Sequence, residues 1–360
     1  MELLIIISII IILLFLTKSY SIDKKIFASH LCLIGILYFI YAKNKIDLND
    51  KENRKFPFRY FRDANHKILP VVALTAFFRS DEDKKLYYRY INSGINVFGI
   101  TAYKSFPKKI DDISEDKYHL TDNFDYLKNI KNWLCCFKNV EHYGFTKEHH
   151  IMDISESDFY NIDEKKEEKK YDFIYICNKD NVPNCPINGW NAINRNFDLA
   201  LKCFPIMCNV YKLKGLVVGR IGCGLEKTYP SIETTDFLEW PILQTKMRQS
   251  KFLFVPNIMD ASPRVVTECL TKNIPVLMNS NILCGTKYIN EMTGELFTSE
   301  NDIENVLKIM LEKINDGRYN TIDFWNQFYG TERSATLLYN FIKSSFNINL
   351  GDVTKIYFLL

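Results

Sequence analysis

The sequence of 360 residues lacks several features that mark common classes of protein. Its 46 Lys and Arg residues nearly balance 43 Asp and Glu residues, and its aromatic residues form no arginine-rich or RNP-like pattern. No basic field for nucleic acid is therefore present, and we expect no nucleic-acid partner. The 10 Cys residues include no Cys-x2-Cys pair. That spacing argues against a zinc site and against a disulfide framework, so we expect reduced thiols in the core.

Two further motifs are missing. No Asn-x-Ser/Thr sequon for N-glycosylation occurs, although Asn is frequent. Gly222-Cys223-Gly224 follows a strand-like run but lacks the third glycine of a dinucleotide fingerprint. NAD binding is therefore not expected.

Two apolar runs stand at the amino terminus, Leu3 to Leu16 and Ile26 to Ala42. Each is shorter than the roughly 20 residues that span a bilayer, so one tilted span and a two-pass hairpin both stay open. A cleaved signal is disfavoured because Glu2 stands where a basic residue is expected. The first run also has no polar face, which a surface helix of a soluble protein would need. We predict that residues 1–45 anchor the chain in a membrane.

The distribution of basic residues predicts the orientation of this anchor. More of them follow the second run than separate the two runs: Lys43, Lys45, Lys51, Arg54 and Lys55. Because basic residues favour the cytoplasmic side, we expect the rest of the chain to be cytosolic, and the missing sequons point the same way. Residues 46–61 are charged and aromatic without a steady period, which predicts a juxtamembrane linker at the headgroup surface.

Strand and helix patterns alternate from residue 62 onward, which predicts an α/β fold. Residues 62–153 predict a small first domain, with a buried strand within Leu69 to Phe78 and an amphipathic helix over Phe124 to Phe137. The run of charged residues within 154–170 predicts a charged, solvated linker. Residues 171–345 predict a second domain with a doubly wound parallel sheet, so the chain would hold two Rossmann-like domains.

The clearest pattern is a βαβ unit within Lys251 to Phe297. Phe252 to Val255 and Val276 to Met278 are buried strand-like runs on either side of a helix. Ser262 is a natural N-cap for this helix, and Pro263 suits its first helical position. Free backbone N–H groups near Ser262 to Val265 would then lie at the carboxyl end of a parallel sheet, where an anion can bind.

Two acids, Asp260 and Glu268, frame this helix start. The order Asp260-Ala-Ser-Pro-Arg-Val-Val-Thr-Glu268 resembles the Glu-x7-Glu segment of nucleotide-sugar glycosyltransferases of family 4, which have the GT-B fold. The resemblance covers residues 171–310 and includes Asn194-Arg195, which is placed like the family's Lys-Gly segment. It implies a retaining hexosyltransferase-type enzyme that moves a sugar from a nucleotide-diphosphate donor to a hydroxyl of a glycan, a lipid or a protein.

The resemblance also implies roles for single residues. Asp260 would meet the donor sugar, Arg195 would neutralise the leaving diphosphate, and Glu268 would bond the ribose hydroxyls. Further donor contacts are implied at the helix start and at the turn after the next strand: Ser262, Pro263, Arg264, Val265, Gly285, Thr286 and Lys287. The family usually has Glu where this chain has Asp260, so the shorter acid either changes donor choice or inactivates the site.

The metal-dependent Asp-x-Asp arrangement of the other large glycosyltransferase fold is not evident, so we expect no essential metal and no cofactor besides the nucleotide sugar. The histidines of the first domain lack a local pattern and are expected to be ordinary surface residues: His119, His142, His149 and His150. Two alternatives stay open, a non-catalytic membrane-tethered protein that binds a sugar nucleotide or glycan, and a GT-B sugar-nucleotide epimerase. The predicted anchor argues against the epimerase.

Overall fold

The computed structural model of the chain describes residues 46–101, 106–107, 123–179, 185, 187–261, 263–348 and 350–359. The predicted anchor, residues 1–45, and the predicted N-cap Ser262 lie outside these residues. Within the described part of the chain, no helix is long and apolar enough to cross a membrane.

The first domain is built on a six-stranded sheet in the order β12-β1-β2-β3-β4-β5. Strands β2 to β5 run parallel, and β1 is antiparallel to both of its neighbours. Its strands are β1 (Phe58–Arg62), β2 (Ile68–Leu74), β3 (Asn96–Ile100), β4 (Asn132–Leu134), β5 (His150–Met152) and β12 (Tyr357–Phe358). Helix α1 (Asp81–Asn92) connects β2 to β3, and Ser80 and Asp83 form a capping box at its start.

The second domain is built on a six-stranded, wholly parallel sheet in the order β11-β10-β9-β6-β7-β8. Its strands are β6 (Tyr171–Ile176), β7 (Gly215–Val218), β8 (Ile232–Thr235), β9 (Ser250–Val255), β10 (Val276–Asn279) and β11 (Gly294–Phe297). Apolar clusters cover both faces of the sheet, which explains why the central strands are continuous apolar runs in the sequence. The predicted doubly wound sheet is therefore confirmed.

Short α-helices account for most of the remaining regular structure. The first domain has α2 (Tyr126–Asn129), and the later segments form α3 (Trp190–Asn194), α4 (Phe197–Phe204), α5 (Leu225–Thr228), α6 (Trp240–Arg248), α7 (Arg264–Leu270), α8 (Ile303–Asn315), α9 (Thr321–Phe328) and α10 (Thr331–Phe346). A π-helix continues α4 over Pro205–Val210. The helix predicted over Phe124 to Phe137 is wrong beyond its first turn, because the chain enters β4 at Asn132.

The βαβ unit forms at β9, α7 and β10, as predicted, but the helix begins later than expected. Pro263 has φ −73° and ψ 77°, which is not helical, so it precedes the helix and Arg264 is the first helical residue. The carbonyl of Pro263 accepts the first bond of the helix from Val266 N–H at 3.0 Å. Pro263 thus acts as the cap residue, because its fixed φ is compatible with either position.

The domain boundaries differ from the predicted ones at both ends. The expected linker, residues 46–61, contains buried Ile46 and Leu48 and most of β1. The carboxyl-terminal end of the chain returns to the first domain, where α10 packs Leu338, Phe341 and Ile342 against that sheet. The expected second domain, residues 171–345, therefore contains most of a helix that covers the first. This returning segment completes the small first domain.

The predicted linker 154–170 is only partly solvated. A 3-10 turn over Glu156–Phe159 buries Ser157 and Asp158, and the main chain at Asp158 accepts hydrogen bonds from Gly330 N–H at 3.0 Å and Ser334 Oγ at 2.8 Å. Residues 161–170 then run without regular structure to β6. The first half of the segment is thus packed against other parts of the protein between the two domains.

Candidate functional site

The two domains meet at the loops that follow the carboxyl ends of their parallel strands. Phe137, beyond β4, forms an antiparallel bridge with Cys284, beyond β10, and Lys138 N–H donates to Leu283 O at 3.3 Å. Ala261, beyond β9, packs into an apolar cluster of the first domain. In open α/β sheets ligands bind at this edge, so the cleft between these loops is the candidate site.

Arg195 and Asp260, the two residues predicted to be catalytic, lie together in this cleft. Their side chains form an ion pair, and Asn257 Nδ2 donates to the same Asp260 oxygen at 3.2 Å. The side chain of Asp260 is 10% exposed and that of Arg195 is 33% exposed, so the guanidinium is the more accessible partner.

Backbone contacts hold this pair in place. Arg195 directly follows α3 and lies two residues before α4. Its carbonyl accepts a hydrogen bond from Tyr175 Oη at 2.9 Å, and Ile258 N–H donates to Asn194 O at 3.2 Å. The segment that carries Arg195 is therefore tied to the loop that carries Asp260. Arg195 thus lies at the junction of two helices.

Glu268 lies in the second turn of α7 and is buried. Gln244 Nε2 donates to its carboxylate at 2.9 Å, and Trp240 Nε1 lies 3.5 Å from its other oxygen. Burial first, and then the charge of Glu268, raise the pKa of the neighbouring Tyr160 to about 12. The Tyr160 hydroxyl is therefore neutral and hydrogen-bonds this carboxylate. These three side chains fix the orientation of the Glu268 carboxylate.

The other predicted donor residues occupy two sides of the same loop region. Arg264 is exposed and Val265 packs partly into the core of the second domain. Gly285 has φ +102°, and a Cβ atom there would lie 2.5 Å from Pro263 Cγ. Glycine is thus required at this position by the turn and by Pro263, a protein neighbour that the sequence did not predict.

Lys287 was predicted to reach the donor. In the structure its ammonium group forms ion pairs with two carboxylates of the segment that precedes the second domain. Its Nζ lies 3.0 Å from carboxylate oxygens of both Asp153 and Asp158. Burial lowers the pKa of Lys287, but Cys136 and the two carboxylates raise it above its ordinary value, so the side chain stays charged. Thr286 begins the short 3-10 turn Thr286–Tyr288 that carries Lys287.

Arg220 is a residue of interest that no sequence motif singled out. It follows β7, is fully buried, and donates to Cys177 Sγ from Nε at 3.3 Å and from one terminal nitrogen at 2.9 Å. Its guanidinium carbon lies 4.4 Å from the centroid of the Phe197 ring, and its other terminal nitrogen is buried without a hydrogen bond within the described part of the chain. An arginine two residues after a buried strand was the available signal.

A disulfide joins Cys185 and Cys223, whose Cα atoms lie 5.4 Å apart. The expectation that all cysteines are reduced is therefore wrong for this pair. The bond links the segment after β6 to the turn after β7, next to Arg220. Their separation of 38 residues gave no signal in the sequence, because pairing of this kind depends on proximity in the fold.

The described residues contain no group of His, Cys, Asp and Glu side chains that could hold a metal. The chain does contain one Asp-x-Asp triplet, Asp81-Glu82-Asp83, which forms the capped first turn of α1. His149 hydrogen-bonds Thr146 and the carbonyl of Leu127, and His150 hydrogen-bonds Ser345. His119 lies outside the described residues.

Comparison with known proteins identifies the fold through solved structures. No family model matches the sequence, and none of the curated proteins matches it. The structure of TarM is similar with a TM-score of 0.52 and 14% identity over 71% of this chain and 52% of TarM. The pneumococcal O-GlcNAc transferase GtfA, in complex with UDP and GlcNAc, gives 0.51 and 11% over 74% of this chain and 56% of GtfA.

Sucrose-phosphate synthase from Thermosynechococcus elongatus gives a TM-score of 0.52 and 13% identity over 77% of this chain and 74% of the synthase. At such identities the likeness concerns the fold alone. The chain has a fold like that of the GT-B glycosyltransferases, with two Rossmann-like domains, which confirms the fold that the resemblance implied. It spans little more than half the length of TarM and of GtfA.

Proposed function

We propose that the protein is a glycosyltransferase that moves a sugar from a nucleotide-diphosphate donor to an acceptor hydroxyl. The observation that carries this proposal is the Arg195–Asp260 pair in the cleft of a GT-B-like fold, where both sheets present the carboxyl ends of their strands. A cation next to a carboxylate at that edge supplies the two groups that sugar transfer needs, one for the leaving phosphate and one for the positive sugar centre.

Each part of the donor would contact a different residue of the second domain. Glu268 would receive the ribose hydroxyls, since its carboxylate is already oriented by Gln244 and Trp240. Arg195 would turn from Asp260 to the diphosphate, because a doubly charged phosphate competes well for a guanidinium. Asp260 would then face the sugar. The backbone at the start of α7 and the exposed Arg264 would complete the phosphate contacts.

No covalent nucleophile, metal or cofactor is needed in this mechanism. The leaving phosphate would accept the acceptor proton while Arg195 offsets its charge, which gives retention of the anomeric configuration as in the resembled family. UDP is present in the solved structures of GtfA and of an S. aureus TarM mutant, which makes it a suitable first nucleotide to try. The acceptor would be a glycan, a lipid or a protein.

We also propose that residues 1–45 anchor the protein in a membrane with the catalytic domains in the cytosol. The two apolar runs and the basic residues behind them support this proposal. Fractionation of cells that express the full chain tests it. The protein should stay with the membrane fraction through a high-salt wash, and its release by salt would contradict the anchor.

The function is tested by exposing the full chain to a panel of nucleotide sugars and measuring thermal stabilisation and sugar release or transfer. A donor at about 100 times its Kd should add roughly 2.7 kcal/mol to the free energy of unfolding. A second candidate is a non-catalytic sugar-nucleotide binder, which the shorter acid Asp260, at a position where the resembled family usually has Glu, favours. Stabilisation without turnover for any donor and acceptor would select that candidate.

A further inference from the structure

A second cavity, distinct from the donor site, lies on the first domain. It measures about 550 Å³ and opens where β2 and β3 end, with Thr75 and Ile100 in its wall. Because these are the carboxyl ends of the parallel strands, the cavity lies at the edge that faces the cleft. We call it the basic pocket after four of its lining residues, Lys51, Arg54, Lys55 and Arg59.

The charge of the basic pocket is strongly one-sided. Glu156 is the one carboxylate in its described wall, and it pairs loosely with Arg59 at 3.8 Å. Lys51, Arg54 and Lys55 form no ion pair with any described residue. In addition, the Nε atom of Arg54 is buried without a hydrogen-bond partner within the described residues. An unsatisfied buried donor costs free energy unless a ligand or water pairs with it.

The acids of the same segment do not neutralise the pocket. Asp47 accepts a hydrogen bond from Asn49 N–H at 2.9 Å, and Asp50 accepts one from Glu52 N–H at 3.0 Å. Both carboxylates therefore serve as local caps of the backbone, and neither they nor Glu52, the third acid of the segment, line the cavity. The wall of the basic pocket therefore contains basic side chains of this segment and none of its carboxylates.

The basic pocket also leads toward the donor side of the cleft. A neighbouring cavity of about 360 Å³ shares Glu156 and Phe358 with it and is lined by Tyr160 and Arg264. Tyr160 contacts Glu268, and Arg264 begins α7, so this second cavity reaches the residues proposed to hold the donor. A ligand in the basic pocket would therefore lie on the acceptor side of the reaction.

We propose that the basic pocket binds the phosphate or diphosphate group of an anionic acceptor. Several unpaired cations with an open hydrogen-bond donor suit an oxyanion that carries more than one charge, and guanidinium groups bind phosphate through paired N–H donors. The proposal rests on the proposed glycosyltransferase function and adds the chemical class of the acceptor. A phosphorylated small molecule, a phosphorylated glycan and a lipid-linked phosphate share this chemistry.

The test measures binding of inorganic pyrophosphate to the full chain by calorimetry, with and without saturating UDP. UDP occupies the donor site, so pyrophosphate that binds in its presence must use another site. The double variant Arg54→Gln/Lys55→Gln should weaken this binding by about 10-fold to 100-fold, because it removes charge-assisted hydrogen bonds. The matched control, Lys85→Gln/Lys131→Gln, removes two exposed cations of the same domain and should leave it unchanged.

A third variant is needed because the double variant could lose pyrophosphate affinity through misfolding. A variant that gains affinity cannot be explained in that way. Glu156→Gln removes the one described carboxylate of the wall and should tighten pyrophosphate binding several-fold. Equal pyrophosphate affinity in the wild type and both pocket variants would overturn the proposal. Failure of UDP to bind would count against the donor site, while the pyrophosphate measurement without UDP would still decide on the pocket.

Binding to vesicles tells whether the basic pocket recognises a specific phosphate group or whether its cations contact membrane headgroups in general. The full chain is compared with the double variant on vesicles of phosphatidylcholine with and without phosphatidylglycerol. A pocket for a specific phosphate group predicts that the variant loses pyrophosphate affinity and keeps its vesicle binding. Loss of binding to phosphatidylglycerol vesicles with unchanged pyrophosphate affinity would assign these cations to headgroup contact and overturn the acceptor proposal.

Discussion

Asp260→Asn is expected to lower the turnover number by about 100-fold to 1000-fold, because the substitution removes a charge proposed to stabilise the positive sugar centre in the transition state. Its effect on nucleotide binding should be different. The substitution releases Arg195 from its ion pair with Asp260, so the affinity for UDP should stay the same or increase. Opposite effects on turnover and binding are not expected from a general loss of structure.

Kinetics with the donor found in the screen, together with calorimetry with UDP, check this prediction. Asp316→Asn is a suitable control for the loss of an Asp that pairs with an Arg, because Asp316 lies 3.0 Å from Arg318 on the surface of the same domain. That variant should match the wild type. Asp260→Glu tests the departure from the resembled family, and broader donor use would make the shorter acid a specificity determinant. Unchanged turnover in Asp260→Asn would remove Asp260 from the mechanism.

Asp158→Ala is expected to lower the free energy of unfolding by about 3–5 kcal/mol, because it removes the buried carboxylate that accepts from Lys287, Tyr288 and Ser155 and leaves these buried donors without that acceptor. The Asp158 side chain is 2% exposed and receives Lys287 Nζ, the hydroxyl of Tyr288 and the backbone N–H of Ser155. It therefore joins the segment between the domains to the loop after β10. Urea denaturation of the full chain measures the loss.

Asp153→Ala provides the matched control for Asp158→Ala. Asp153 contacts the same ammonium group of Lys287 at the same distance of 3.0 Å, but its side chain is 57% exposed. Exposed ion pairs contribute about 0–1 kcal/mol, so this variant should be nearly as stable as the wild type. Equal losses for the two variants would show that burial at Asp158 does not determine the strength of the contact.

The second domain was predictable because its signals are local. The strand Phe252 to Val255 is buried on both faces and therefore appears as an unbroken apolar run. Pro256 and the Asn273-Ile274-Pro275 break mark the ends of elements through backbone constraints that act within a few residues. The spacing of Asp260 and Glu268 is likewise local, so it could be matched to the Glu-x7-Glu segment of the resembled family.

The features that were missed depend on contacts between distant parts of the chain. The return of α10 to the first sheet shows in the sequence only as an amphipathic helix, which could cover either domain. The Cys185–Cys223 disulfide and the use of Lys287 by Asp158 depend likewise on where two loops meet. Arg220 was missed for the same reason, since its burial against Cys177 becomes visible only in the fold.

The proposed function requires that the cleft around Arg195 bind the diphosphate of a nucleotide sugar. Calorimetric titration of UDP into the wild type and into Arg195→Ala tests it most directly, with Arg318→Ala as the control for loss of an exposed arginine of the same domain. We expect Arg195→Ala to bind UDP about 10-fold to 150-fold more weakly, which corresponds to about 1.5–3 kcal/mol for a charge-assisted contact. Equal UDP affinity in the wild type and Arg195→Ala, with both proteins folded, would contradict it.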